Sequence, residues 1–285
     1  MKILVLGGTR YFGIPTVQEL IRKGHDVTIA TRGRTPDPFG SSVSRIVCDR
    51  TDNESMKVFD GSRYDIIIDK IAYTSNDVKR LLDHAECGRY ILMSTSSVYT
   101  DIHLATKEDD FRADKYPLEY CERGDHDYSE IKRQAECILV QDYPSQVYTA
   151  VRYPVVTGIN DYTGRLRFYF DLIAEGKPMY IDDMDSRISF IDEKDAGHFI
   201  SHIVEHTVDG PVNGCSDGDI SIREIIGYIE GRTGKKAVLS DSGDAAPYNG
   251  YPAFATLDTA KARSTGFVFS DVRKCIYDTI DHYTL

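Results

Sequence analysis

The chain has 285 residues, 41% of them hydrophobic, so it can bury a sizeable core and house a nucleotide-binding unit plus a smaller appended one without staples. Its formal charge of -11 repels phosphate backbones and anionic bilayers, which sets nucleic acid and membrane surfaces aside as expected partners. Six scattered cysteines form no C-x-x-C pair and no metal-ligand cluster, and no apolar run approaches the roughly 18 residues of a membrane span, so a metal-free, cytoplasmic protein with free thiols is expected.

The first residues, MKILVLGG, lack the basic start, long apolar stretch and cleavage site of a signal peptide. Lys2–Leu6 is instead a β-prone run that meets Gly7 and Gly8 at once, and Val17, Leu20 and Ile21 then follow at helical spacing. Further strands are expected at 25–30, 44–48, 64–69, 89–95 and 146–153, with helices at 76–84 and 128–140 between them. Short apolar runs alternating with helices predict an α/β fold, a Rossmann-type doubly wound parallel sheet covered on both faces. Residues 1–157 form the expected dinucleotide-binding domain, to which the chain returns at about 187–208. Residues 158–186 and 209–285 form a smaller C-terminal substrate-binding domain, with helical segments at 222–229 and 272–283. In such a sheet the ligand crevice lies outside the carboxyl ends of the strands.

The loop Gly7-Gly8-Thr9-Arg10-Tyr11-Phe12-Gly13 joins the first strand to the first helix. Glycines let the backbone turn tightly, and amides at the helix N-terminus attract a pyrophosphate. About 20 residues on, NAD proteins carry an acid for the ribose 2′-hydroxyl, whereas an arginine accommodates the 2′-phosphate of NADP. This chain has Thr31-Arg32-Gly33-Arg34, so Arg32 together with Arg10 favours NADP over NAD as cofactor; a pair of solvated surface arginines is the competing reading.

Tyr128 and Lys132 stand four residues apart on one helix face. In a chain with 19 tyrosines such a spacing means little by itself. Its place matters: it opens the helix between the fifth and sixth strands, whose face can look into the crevice. A tyrosine with an ordinary pKa near 10 becomes a usable base when a cation such as Lys132 or an oxidised nicotinamide favours the phenolate. It could then take a substrate hydroxyl proton as hydride leaves the same carbon, or return it to a carbonyl. Thr95, ending the fifth strand, can hold the same oxygen, with Ser96 as its fallback and strand-end capping as the alternative role.

With these motifs in order, the sequence resembles the short-chain dehydrogenase/reductase superfamily, in its extended or atypical branch of NAD-dependent epimerase/dehydratase-like proteins. The resemblance covers nearly the whole chain and implies Thr95, Tyr128 and Lys132 as catalytic residues. It also implies Asp49 and Arg50 near the adenine, Lys132 on the nicotinamide ribose, Tyr153 of Arg152-Tyr153-Pro154 against the nicotinamide, and Ser96 and Arg187 on the substrate, with Arg187 matching the arginine that binds a UDP diphosphate. Arg10 replaces the middle glycine of the usual loop, which points to the atypical subgroup. Ser96-Ser97 stands where sugar 4,6-dehydratases carry Asp-Glu, which argues against that reaction, and Val155 replaces a substrate-holding Asn.

The expected function is an NAD(P)-dependent oxidoreductase or epimerase acting on a hydroxyl or carbonyl of a sugar or nucleotide sugar. The alternative is a non-catalytic dinucleotide sensor or RNA-associated member of the atypical branch. A homodimer through the Tyr128 helix is also expected, on the strength of Ile131, Ile138 and Leu139 on its other faces.

Overall fold

The structure, a computed structural model, describes residues 1–284. Strands and helices alternate from the N-terminus as β1 (Lys2–Leu6), α1 (Gly13–Arg22), β2 (Asp26–Thr31), β3 (Ser44–Val47), the single-turn α2 (Asn53–Met56), β4 (Ser62–Asp69), α3 (Ser75–Leu82), β5 (Ala85–Thr95), α4 (Tyr128–Gln141) and β6 (Tyr148–Tyr153). The central strands are apolar on both faces because helices cover both: Ile3–Leu6 and Tyr90–Leu92 are fully buried. Thr74 and Asp127 cap α3 and α4 by accepting the amides of Asp77 and Glu130, which fixes where each helix begins.

The remaining elements are β7 (Val155–Thr157), α5 (Arg165–Glu175), β8 (Pro178–Tyr180), β9 (Arg187–Ile188), β10 (Phe190–Asp192), α6 (Glu193–Glu205), β11 (Gly210–Asn213), β12 (Ile220–Ser221), α7 (Ile222–Thr233), β13 (Val238–Leu239), β14 (Asp244–Ala245), β15 (Phe254–Ala255), α8 (Ala260–Arg263) and α9 (Val272–Asp281). The seven-stranded sheet runs β11-β6-β5-β4-β1-β2-β3, every pair parallel. The order reverses at β1, flanked by β2 and β4, so the crevice opens over the ends of β1 and β4. One face packs against α1 and α6 through Val17, Leu20, Phe199 and Ile203, the other against α3 and α4 through Val78, Leu81, Ile138 and Leu139. A second core gathers α5, α7 and α9 around Tyr169, Phe170, Phe190 and Ile226.

The strand pairings refine the expected bounds of the return to the sheet. The return to the sheet does not begin at Arg187: β9 pairs with β12 and β15 in a small separate sheet, and β10 pairs with β7. Nor does it end at 208, since β11 is the seventh central strand and Ala262 and Phe269 join the α1–α6 core. Gly210-Pro211 hides this strand in the sequence, and its edge position is what lets a proline sit there. The faces expected to support a dimer are also occupied: Ile131, Ile138 and Leu139 are 6%, 0% and 0% exposed within the single chain.

Candidate functional site

The Gly-rich loop lies at the carboxyl end of β1. Gly7 and Gly8 take φ of 89° and 94°, where a side chain is strained, and a Cβ on Gly8 would reach Val17 at 3.0 Å. Gly13 opens α1 so close to the loop that a Cβ there would lie 2.8 Å from Gly8 Cα. Tyr11 holds a φ of 53°, rare for a bulky residue, and its hydroxyl is buried with no partner among the described residues. The amides of Tyr11 and Phe12 likewise have no acceptor among the described residues, which leaves the helix entrance ready for an anion. Gly13→Ala should therefore cost about 1–3 kcal/mol of stability through overpacking and weaken dinucleotide binding, as read from denaturant curves and ligand titration; a variant as stable and as tightly binding as the wild type would contradict this packing.

Beyond the loop, Thr9, Arg10, Arg32, Arg34 and Asp49 line one end of a continuous cleft of about 1040 Å³, which suits a ligand as large as a dinucleotide. Hydrogen bonds from the Thr51 hydroxyl at 2.7 Å and amide at 3.1 Å hold the Asp49 carboxyl below the usual carboxylate range, helped by Arg32 and Arg34. Arg50 also borders the cleft, but its guanidinium is not available to a ligand as expected. It is 4% exposed and bridges Asp69 Oδ1 at 2.5 Å and the Asp77 carbonyl at 2.6 Å, because two buried carboxylates there need a counter-charge.

Farther along, Tyr128, Lys132 and Glu136 project from successive turns of one α4 face. Tyr128 sits at the cleft mouth, 48% exposed, edge-on to Tyr73 at 6.1 Å between ring centroids. Lys132 is buried, donating to the carbonyls of Ala72 at 2.8 Å and Met93 at 2.5 Å, and burial pulls its ammonium down to about 8. Thr95 accepts the Ser97 amide at 3.2 Å and donates to the Ser97 hydroxyl at 3.3 Å, so it caps the following turn while also facing the cleft beside Ser96. The phenol differs from expectation: although the residue as a whole is half-exposed, the protein crowded around its hydroxyl pushes Tyr128 up to about 12, with the Thr95 hydroxyl pulling the other way. Lys132 is held on backbone carbonyls, and a further positive charge beside the ring would favour the phenolate.

Tyr153 lines the cleft floor edge-on to Phe12, but its hydroxyl turns into the core and donates to the Ala196 carbonyl at 2.7 Å. Arg187 lies outside the cleft. It is paired with Asp219 and Glu224 across the β9–β12 contact, which satisfies its charge locally and removes it from the expected substrate role. The end of the cleft away from Arg32 and Asp49 is lined by Tyr73, Arg123, Tyr162, Thr163, Arg165 and Tyr251. These and Lys70, at the end of β4, were not singled out in the sequence; Lys70 alone carried a signal, its place directly after a strand. Among the described residues no three His, Cys, Asp or Glu side chains gather to hold a metal, and no helix is long and apolar enough to cross a membrane.

This strand order, with a Gly-rich loop at the switch point, defines a Rossmann-type dinucleotide fold. The profile of the NAD dependent epimerase/dehydratase family matches residues 3–215, and the chain belongs to that family. Among solved structures, UDP-glucose 4-epimerase of Thermotoga maritima with UDP-glucose aligns over 99% of this chain and 98% of its own at a TM-score of 0.76 and 17% identity. The UDP-glucose 4-epimerase of Thermus thermophilus in complex with NAD gives 99%, 98%, 0.73 and 16%. The UDP-glucuronic acid 4-epimerase of Bacillus cereus in complex with NAD gives 99%, 96%, 0.74 and 19%. These likenesses establish the fold. A curated relative, the chloroplast stem-loop binding protein of 41 kDa b of Arabidopsis thaliana, is 24% identical over 204 residues, 66% of this chain and 50% of that protein, so the matched region spans about half of the relative's length.

Proposed function

We propose that this protein interconverts a hydroxyl and a carbonyl on a sugar-like, nucleotide-linked substrate, with NADP(H) as its favoured cofactor. The observation that carries the reading is that Thr95, Tyr128 and Lys132 open into the same cleft as the Gly-rich loop. Gly7, Thr9, Tyr11, Phe12 and Gly13 would cradle the pyrophosphate, with Arg10 and Arg32 toward the 2′-phosphate and Asp49 toward the adenine. Lys132 and Tyr153 would border the nicotinamide end. The cofactor, when bound, supplies hydride acceptor and donor chemistry. Tyr128 then moves the proton at the reacting oxygen, Thr95 orients that oxygen, and Lys132 positions the ribose side of the site. Arg165, which lines the cleft without a carboxylate partner among the described residues, suits the anionic part of a nucleotide-linked substrate better than Arg187 or Arg123, both of which are paired with carboxylates.

The test is mass spectrometry of the protein as purified, combined with assay without added reductant. A retained nucleotide and turnover without reductant identify an epimerase, and stoichiometric NADPH consumption a reductase; the absence of any dinucleotide affinity would overturn both. Cofactor choice has its own test. NADPH should bind more tightly than NADH, and Arg32→Ala should erase about tenfold of that preference, a modest effect because the arginine is exposed. NADH binding at least as tightly as NADPH would remove the 2′-phosphate assignment.

A second reading, a dinucleotide-binding protein that associates with RNA, draws on the name of the Arabidopsis relative as a stem-loop binding protein. The charge of -11 opposes it. Tight stem-loop RNA binding that is insensitive to Tyr128→Phe would favour it.

A further inference from the structure

Lys70 follows β4 directly, at the switch point of the sheet, and its side chain runs over the Gly-rich loop. Its Cβ lies 3.6 Å from the position a Cβ would take on Gly7, and its Nζ lies 2.4 Å from that position on Gly13. The Nζ also sits 3.8 Å from the Phe12 ring centroid. Among the described residues this ammonium has no ion pair and no hydrogen bond. No carboxylate faces it. Asp69 beside it serves Arg50, Tyr90 and the Ile71 amide, and Asp49 serves Thr51. The other charged groups along this stretch of the cleft, Arg10 on the loop and Lys132 on α4, are themselves cations.

A cation at the N-terminal end of α1 meets the positive end of the helix dipole, so the free protein holds it where the field is least favourable. Burial separately pulls the amine down to about 7. Apart from the Phe12 ring face, the ammonium gains a partner when an anion arrives. We propose that Lys70 is a cofactor-binding residue whose ammonium, laid over Gly13, is the counter-charge for the dinucleotide pyrophosphate. It makes up for a loop in which Arg10 stands where a glycine would bring bare backbone to the phosphates. This rests on the dinucleotide reading of the cleft and adds to it a residue outside the Gly-rich loop.

The sign of the pH dependence follows. Binding favours the protonated amine, so affinity is highest below pH 7 and weakens above it by up to about tenfold per unit, until the raised pKa of the complex is reached. The test is titration of NADPH and of NADH into wild-type, Lys70→Met and Lys70→Arg protein between pH 6 and 9, with thermal melts of each free protein. Lys70→Met should weaken both dinucleotides roughly 10- to 100-fold near pH 6.5. It should also flatten the pH dependence and melt higher than wild type when free, while Lys70→Arg retains most of the affinity. Binding of Lys70→Met within twofold of wild type, or tighter, would overturn the proposal and make Lys70 packing or an obstruction. A loss confined to NADPH would overturn it too, by moving the lysine to the 2′-phosphate. Failure of the wild type to bind either dinucleotide would instead remove the cofactor reading itself.

Discussion

Tyr128→Phe should lower turnover by about 10²- to 10⁴-fold, the usual weight of a positioned acid–base group, while dinucleotide affinity stays within about twofold. The phenylalanine keeps the ring edge against Tyr73 and removes only the hydroxyl. Steady-state kinetics beside a cofactor titration separate the two effects. The pH profile adds a signature that lost packing would not produce. Because the protein crowded around its hydroxyl holds the free phenol up at about 12, the phenolate is scarce at neutral pH and grows tenfold per unit. Alcohol oxidation by the wild type should therefore rise with pH until the phenol ionises in the cofactor complex, and the residual rate of Tyr128→Phe should be flat across that range. A variant with more than half the wild-type turnover would remove Tyr128 from the chemistry.

The largest stability effect should come from Arg152→Leu, which is expected to cost about 3–5 kcal/mol in denaturant unfolding. Arg152 is fully buried on β6. Its Nη2 meets Glu136 Oε2 at 2.6 Å and its Nε meets Oε1 at 3.0 Å, while Nη1 donates to the Glu108 carbonyl at 2.7 Å. Removing the cation leaves the Glu136 carboxylate, 1% exposed, without its partner in a medium that tolerates no lone charge. Replacing both residues by leucines should recover part of the loss, since a desolvated pair often gains little over apolar packing. The consequence reaches the cleft. Glu136 also accepts the Ser94 hydroxyl, next to Thr95, and lies one turn beyond Lys132 on α4. Arg152→Leu protein that still folds should thus lose turnover as well as stability. A cost below about 1 kcal/mol would contradict the anchoring role, since removing one partner of a buried pair ordinarily costs several.

Much of this was legible in the residues. β1 and β4 through β6 are buried on both faces, so they read as apolar runs, and the glycines of the loop mark a turn that side chains would obstruct. That Tyr128, Lys132 and Thr95 line the cleft could be read from position, because a helix after the fifth strand must return over the sheet with one face toward its carboxyl ends. What failed has physical causes. Arg50 and Arg187 belong to charge networks set by Asp69, Asp77, Asp219 and Glu224, and nothing local to either arginine announces those partners. β11 was hidden by Gly210-Pro211 at a sheet edge. The far end of the cleft is assembled from Tyr73, Tyr162, Arg165 and Tyr251, brought together only by the tertiary fold. The rise of the Tyr128 pKa was missed because it depends on burial, while the neighbouring lysine suggests the opposite.

The most direct measurement is a crystal structure of the protein with its bound dinucleotide. The pyrophosphate should lie on the loop between Gly7 and Gly13, with the nicotinamide ring next to the Tyr128 and Thr95 hydroxyls. A dinucleotide bound elsewhere, or a nicotinamide ring pointing away from Tyr128, would contradict it.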